Sequence, residues 1–324
     1  MEGIINVLKP PGMTSSDVVV RMRKVLKIKK IGHTGTLDPG VAGVLPLCVG
    51  KGTRLAEYIT EQGKAYLAEV TFGITTDTQD AFGKVTQLVS AELRQNDLER
   101  VLSSFMGKIE QTPPMYSAVR KEGKHLYEYA RQGIAIERTP REVSIYKLKL
   151  DKWYEEEFPR AILNIECSKG TYIRTLCHDL GQALGCGAHM SNLLRVRSGP
   201  FMIQNSWTLE EIEASAGEST YSFLLPLTAG IDLPRVFLSA VRANAFRHGL
   251  PTKRELVKTS PTDTEGNSPF VDRGSSFEAE SGIRTTNHQP RTTSESYVQV
   301  IEDGELIGIG HWSEDSLFPH KVFV

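Results

Sequence analysis

Apolar and polar positions along the chain alternate with two different periods, and the changes of period mark out its elements. Ile4, Ile5, Val7 and Leu8 form a short apolar run ended by Lys9-Pro10-Pro11-Gly12. Proline removes a ladder donor and glycine permits the turn, so a strand is predicted over residues 3–8. Val18, Met22, Val25 and Leu26 then fall at i, i+4, i+7 and i+8, while Arg21, Arg23, Lys24 and Lys27 occupy the other faces. With N-cap candidates in Thr14-Ser15-Ser16-Asp17, this is an amphipathic helix with a basic outer surface. Residues 44–49 and 66–72 read as strands. Residues 90–106 read as a helix carrying Leu98, Val101, Leu102 and Phe105 on one side and stopped by Gly107. Leu163, Ile165 and Cys167 alternate with Asn164, Glu166 and Ser168, the period of a half-buried strand, and a helix over 171–184 ends at Gly185.

Strands and helices are interspersed up to about residue 228, which predicts one large α/β unit over 1–228. Residues 229–324 read as a second, β-rich module. Within it, residues 255–295 are rich in Ser, Thr, Gly, Asp and Glu, with Phe270 and Phe277 almost alone as large apolar groups. Such a stretch buries too little to offset its ordering entropy, so a disordered insert is expected. Beyond it, two apolar runs flank Asp303-Gly304, a hairpin signal.

Composition narrows the class further. A chain of 324 residues with 40% hydrophobic content can bury a full core and still form a small second domain. The N-terminus lacks a basic region followed by a long apolar run, and no stretch approaches the roughly 20 apolar residues that span a bilayer. No membrane role is expected, and the cytoplasm is the expected location. Cys48, Cys167, Cys177 and Cys186 form no CxxC pair, and Cys177-His178 and Cys186-x-x-His189 sit in helical and core-like runs, so buried thiols are expected rather than zinc ligands. Residues 1–54 carry nine Lys or Arg against three acids, in a chain whose net charge is -1. That segment suits a polyanion, by counterion release, or else forms a solvated helix face.

The candidate chemistry lies in Gly32-His-Thr-Gly-Thr-Leu-Asp-Pro-Gly-Val-Ala-Gly-Val-Leu-Pro46. Gly35 to Gly40 has the spacing of half a P-loop, but Val41-Ala42 stands where Lys and Ser or Thr must follow, so a nucleoside triphosphate is excluded. His33 and Asp38 have no nearby third ligand for a metal. What remains is a carboxylate on a glycine-lined loop, which reads more readily as a turn opened by Asp38-Pro39 than as a site that a bulky substrate can approach.

The loop resembles the catalytic motif of the TruB family of tRNA pseudouridine synthases. Other blocks follow in the family's order: Asn6-Val-Leu-Lys-Pro-Pro-Gly-Met-Thr-Ser, Lys64-Ala-Tyr with Gly73-Ile-Thr-Thr-Asp-Thr-Gln-Asp-Ala-Phe-Gly, Gln111-Thr-Pro-Pro-Met-Tyr-Ser-Ala, and Cys167-Ser-Lys-Gly-Thr-Tyr-Ile-Arg-Thr-Leu. The resemblance implies an α/β (α+β) pseudouridine synthase domain, with a mixed, largely antiparallel sheet flanked by helices, and a small C-terminal PUA-like module. It implies isomerisation of uridine to pseudouridine at position 55 of the tRNA T-loop, without cofactor or metal, by a monomer that holds the T-arm stem-loop. Asp38 would be the catalytic carboxylate, Tyr66 would stack on the flipped uracil and His33 would take the vacated place in the stack. Arg174 would pair with Asp38, Asp80 would orient Arg174, and Leu193 and Tyr172 would complete the substrate site. Basic and aromatic groups interleave over residues 112–141, with Arg120, Lys121, Lys124 and Arg131 beside His125, Tyr127 and Tyr129. Together with Lys9 and Lys64 these are the expected RNA contacts.

Overall fold

The computed structural model describes residues 1–117, 119–134, 136–217, 221–259 and 297–323. The apolar runs become strands: β1 (Gly3–Lys9), β2 (Ala42–Val49), β3 (Lys64–Phe72), β4 (Gly107–Gln111), β5 (Arg141–Tyr154), β6 (Arg160–Cys167) and β7 (Ala188–Ser198). Together with Leu224–Leu225 at one edge they form a sheet in the order Leu224–Leu225, β1, β2, β7, β3, β6, β5, β4. Neighbours are antiparallel except β2 and β7, which run parallel where Ala42 and Gly43 meet Leu194 and Arg195. That one parallel contact brings the end of the glycine loop against the middle of β7.

At β1 and β2 the sheet is covered on both faces, which is why these two strands read as unbroken apolar runs. Ile5, Val7, Leu45, Leu47 and Val49 face one core, shared with Val18 and Met22 of helix α1 (Ser15–Leu26) and Ile173, Leu176 and Leu180 of helix α2 (Ile173–Ala183). Ile4, Val44 and Cys48 point the other way and pack with Ile301, Leu306, Ile309 and Phe323 of a second sheet. In that sheet β8 (Tyr297–Glu302), β9 (Glu305–Ser313) and β10 (Ser316–Val322) form an antiparallel meander, with Arg235–Phe237 parallel to β8. Asp303 and Gly304, with φ of 48° and 83°, make the tight turn between β8 and β9.

Local hydrogen bonds trim the predicted helices. Asp97 Oδ2 accepts from the Arg94 N–H at 3.0 Å, so the helix expected over 90–106 begins only at Gln95 and runs to Leu102, followed by a 3-10 turn over Ser103–Phe105. The Tyr172 N–H is taken by Gln111 Oε1 at 3.0 Å, and α2 starts after it. Of the insert expected at 255–295, residues 260–296 lie outside the described residues. Its first residues are regular: Arg254–Leu256 is a 3-10 turn and Lys258–Thr259 pairs with Arg235–Phe237.

Candidate active site

Residues 34–41 hang between β1, α1 and β7, and buried side chains hold almost every turn of them. Thr34 donates to Pro46 O through N–H and Oγ1, at 3.1 and 3.3 Å. Ser15 Oγ at the start of α1 accepts from the Leu37 N–H at 2.9 Å and donates to Leu37 O at 3.2 Å. Lys9 is fully buried, and its Nζ donates to Pro10 O, Pro39 O and Val41 O at 2.9, 3.2 and 2.7 Å. Arg195, also buried, donates through Nε to Val44 O at 2.7 Å and through its two Nη atoms to Thr36 O and Gly35 O at 3.4 and 3.1 Å. Gly43 is required at this crossing: its φ is +125°, and a Cβ there would lie 2.3 Å from Arg195 O. Backbone carbonyls that would otherwise be buried without donors are thus satisfied by two cations, and the loop has one shape.

That shape presents Asp38 to Arg174. Arg174 is buried at the start of α2, and its Nε lies 3.2 Å from Asp38 Oδ2. Nη1 reaches Asp80 Oδ2 at 3.3 Å and Thr78 O at 3.3 Å, and Nη2 donates to Tyr116 O at 2.8 Å. Asp80 is itself fixed, its Oδ1 accepting from Thr78 Oγ1 at 2.7 Å and the Phe82 N–H at 3.0 Å. A guanidinium with every side engaged cannot rotate away from the carboxylate. The Asp38 side chain keeps 44% of its surface open to a cleft lined by Gly40, Val41, Asp80, Phe82, Met190 and Leu193. Burial pushes its carboxyl above the ordinary aspartate range; Arg174 pulls it back down, Asp80 raises it and Lys9 lowers it. The net result is a carboxyl more basic than a solvated one, with burial the largest cause.

Leu193 therefore joins Asp38, Arg174 and Asp80 at one place. Tyr66 on β3 and Tyr172 at the N-cap of α2 lie close enough for the Asp38 charge to raise both hydroxyls, although burial is the larger cause and takes Tyr66 to about 12. His33 faces a different hollow, lined by Ser16, Val19, Val20, Arg23, Ile31 and Gly32, where burial and then the Arg195 charge lower its pKa. Arg120, Lys124 and Arg131 are exposed on a small hairpin and the helix Leu126–Arg131, with Arg131 5.4 Å from the Tyr127 ring and His125 stacked on Tyr127 at 5.1 Å. Lys121 lies half-buried beside them and donates to Glu137 O at 2.6 Å.

Two of the expected RNA contacts are corrected by their surroundings. Lys9 spends its three N–H bonds on loop carbonyls, and Lys64 is buried with Nζ donating to Thr60 O and Gln62 O at 3.0 and 2.8 Å. Burial brings each ammonium down to about 8. Both organise backbone and neither faces solvent. The basic face of α1 is also partly consumed, with Arg21 Nε 2.6 Å from Glu213 Oε1. All four cysteines are buried free thiols, and among the described residues no three His, Cys, Asp or Glu side chains gather at a spacing that could hold a metal.

Arg195 and Phe82 escape a reading of the sequence. Arg195 sits in a run, Leu193-Leu-Arg-Val-Arg197, that alternates like a strand with arginines outside, and only the register against Tyr66 and Gly43 turns it inward. Phe82 lies in the block from Gly73 to Gly83, but nothing in a single sequence says that an aromatic there stays exposed.

The chain resembles known proteins over most of its length. Residues 23–173 match the TruB family pseudouridylate synthase N-terminal domain, and residues 174–231 match the tRNA pseudouridylate synthase B C-terminal domain. The tRNA pseudouridine synthase B of Symbiobacterium thermophilum is 53% identical over 252 residues, 77% of this chain and 83% of that protein. The enzyme of the same name from Halalkalibacterium halodurans is 48% identical over 78% of this chain and 86% of its own length. Among solved structures, the fold is shared with a chain of a Cbf5-Nop10-Gar1 complex (TM-score 0.69, 25% identity, 99% of this chain and 85% of that one). It is shared too with a chain of an H/ACA RNP bound to a substrate RNA containing 2′-deoxyuridine (TM-score 0.67, 24% identity, 99% and 85%).

Proposed function

The chain belongs to the TruB family of pseudouridylate synthases, and from that premise we propose that it isomerises uridine 55 in the T-loop of tRNA, flipping the base out and using Asp38 on it. That it is a tRNA pseudouridine synthase rests on relatives near 50% identity over most of its length; the target position and the mechanism are our reading. The observation that carries the mechanism is the Asp38–Arg174 pair at 3.2 Å, open to a cleft on its other side.

Pseudouridine formation breaks the N-glycosidic bond, turns the uracil and rejoins it to ribose through carbon, with no net change in atoms. A carboxylate beside the ribose and the base can serve developing positive charge at the sugar, as carboxylates do in glycoside chemistry. Arg174 aims Asp38 and favours its ionised form against the burial that raises its carboxyl. A stacked base cannot reach this cleft, so flipping is required. Tyr66 and Leu193 would hold the uracil, and His33 would replace it in the loop. The exposed cations of residues 112–141 would grip T-arm phosphates, and Tyr116 O ties the start of that segment to Arg174. The catalytic unit is assigned to residues 1–228 and a PUA-like module to 229–324, acting as a monomer.

The test is incubation with an unmodified T-arm stem-loop and chemical detection of pseudouridine. Product is expected at the T-loop uridine with the native chain and none with Asp38→Asn, which should still bind the RNA. Undiminished product from Asp38→Asn would end the mechanism, and product only at other uridines would end the assignment of position.

A further inference from the structure

The rim of the Asp38 cleft carries a large aromatic side chain that folding leaves in water. Phe82 is 79% exposed, more than any other large apolar side chain among the described residues. Scattered exposed apolar groups need no explanation, but this one is neither scattered nor loose. It lines the same cleft as Asp38, Asp80 and Leu193. Its N–H is held by Asp80 Oδ1 at 3.0 Å, the carboxylate whose other oxygen orients Arg174. The Cε2–Cζ edge of its ring lies over Gly40, so close that a Cβ at Gly40 would be 2.2 Å from Cε2. Glycine two residues after Asp38 is what lets the ring rest there. With an edge on the loop and most of the ring in solvent, its faces stay available.

We infer that Phe82 is a stacking platform for the nucleotide next to the target uridine. This rests on the reading that a flipped uridine reacts beside Asp38. The cleft itself encloses only about 50 Å3, room for a few waters, so the uracil enters as the rim gives way. When one base leaves a stack, its neighbour loses a partner on that side. An aromatic face at the cleft mouth replaces that partner, whatever the neighbour's sequence, because every base has a π-face. Phe82 is thus a substrate-positioning residue and takes no part in proton or bond transfer.

The test compares the full-length native chain with Phe82→Ala, Phe82→Leu, Phe82→Tyr and Phe82→Trp on the T-arm stem-loop, and uses 2-aminopurine at each nucleotide flanking the target. Because the ring is exposed, all variants should melt like the native chain. Phe82→Ala and Phe82→Leu should raise KM by about five- to 150-fold, the range for loss of one base–aromatic stack, with kcat nearly unchanged. Phe82→Tyr and Phe82→Trp should restore it. Binding should quench 2-aminopurine at one flanking position with the native chain and not with Phe82→Ala. Native KM in Phe82→Leu, a loss confined to kcat, or quenching that persists in Phe82→Ala would each overturn the inference. Failure of the parent reading looks different: the native chain then forms no pseudouridine, while the 2-aminopurine comparison still reports on stacking.

Discussion

Lys9, Lys64 and Arg195 crowd around the loop of residues 33–44 with almost no exposed surface, whereas Arg120, Lys124 and Arg131 stand in solvent about a hairpin and a short helix. All three buried cations are bonded to main-chain carbonyls; Lys9 and Arg195 shape the backbone that carries Asp38, and Lys64 holds the adjoining carbonyls of Thr60 and Gln62. Among the described residues the exposed ones hold no carbonyl in the core; Lys124 and Arg131 lie over the Tyr129 and Tyr127 rings, and their charge faces solvent. In one chain, then, the same residue types do two jobs, and burial decides which. Substitutions in the first region should act on turnover and stability, and those in the second on affinity and salt dependence.

The sharpest test lies where the two regions meet, at Arg174, bonded to Asp38 on one side and to Tyr116 O on the other. Arg174→Met removes the positive charge that lowers the Asp38 pKa, so Asp38 rises further and the acid limb of activity moves to higher pH. A drop in kcat of about 10²- to 10³-fold is expected, the usual cost of losing an aimed charged donor. Single-turnover rates measured across pH would show both effects, and Arg174→Lys should recover part of the pH shift if charge is the cause. An unmoved acid limb would mean that Arg174 does not control Asp38.

Next in size is Lys9→Met, which keeps the bulk of the side chain but leaves the carbonyls of Pro10, Pro39 and Val41 without their donor. A stability loss of about 1–3 kcal/mol by denaturant titration is expected, with kcat down about tenfold as the Asp38 turn loosens. The native ammonium titrates near 8, below its usual value because it is buried. Its charge, and part of the loop's grip, should fade as pH rises past that point. The native enzyme should therefore lose activity above about pH 8, and Lys9→Met should lose less of what it has.

These two residues also measure what the sequence could tell. The elements around the site were legible because β1, β2 and α1 obey simple periods, and because blocks in family order converge on Asp38. The buried roles of Lys9, Lys64 and Arg195 were not legible, since a lysine or arginine reads as a surface cation unless tertiary contacts supply carbonyls for each N–H. β5 and β7 were harder still. β5 alternates Val143 and Ile145 with Glu142, Ser144 and Tyr146 but slips register between Ile145 and Lys147 and again between Leu150 and Lys152, and β7 slips between Met190 and Asn192 and between Arg195 and Arg197. A bulge breaks the period of two on which a strand is recognised.

On the exposed side the effects should be smaller and of another kind. Arg120→Ala, Lys124→Ala and Arg131→Ala should each raise KM several-fold and leave the unfolding free energy within about 0.5 kcal/mol of native. Wherever the removed cation met a phosphate, the slope of log affinity against log salt should fall by about one. A variant that destabilised the fold or cut kcat alone would move that cation into the first class.

The smallest effect is a stability change at Asp38 itself. Its carboxyl is raised above the ordinary value chiefly by burial, so in the folded state the ionised form is disfavoured relative to the unfolded chain. For a raised carboxylate the folded state is favoured at low pH and loses that advantage as pH rises through the folded pKa. The native chain at neutral pH therefore carries a cost that an uncharged side chain of the same shape does not. Asp38→Asn keeps the turn and leaves Arg174 its bonds to Asp80, Thr78 O and Tyr116 O. Its melting temperature at pH 7.5 should equal or slightly exceed that of the native chain, although it turns over no substrate. The difference should shrink as pH is lowered and native Asp38 takes up its proton. A lower melting temperature at neutral pH would mean that the Asp38–Arg174 pair, unlike the carbonyl bonds of Lys9 and Arg195, stabilises the fold as well as the chemistry.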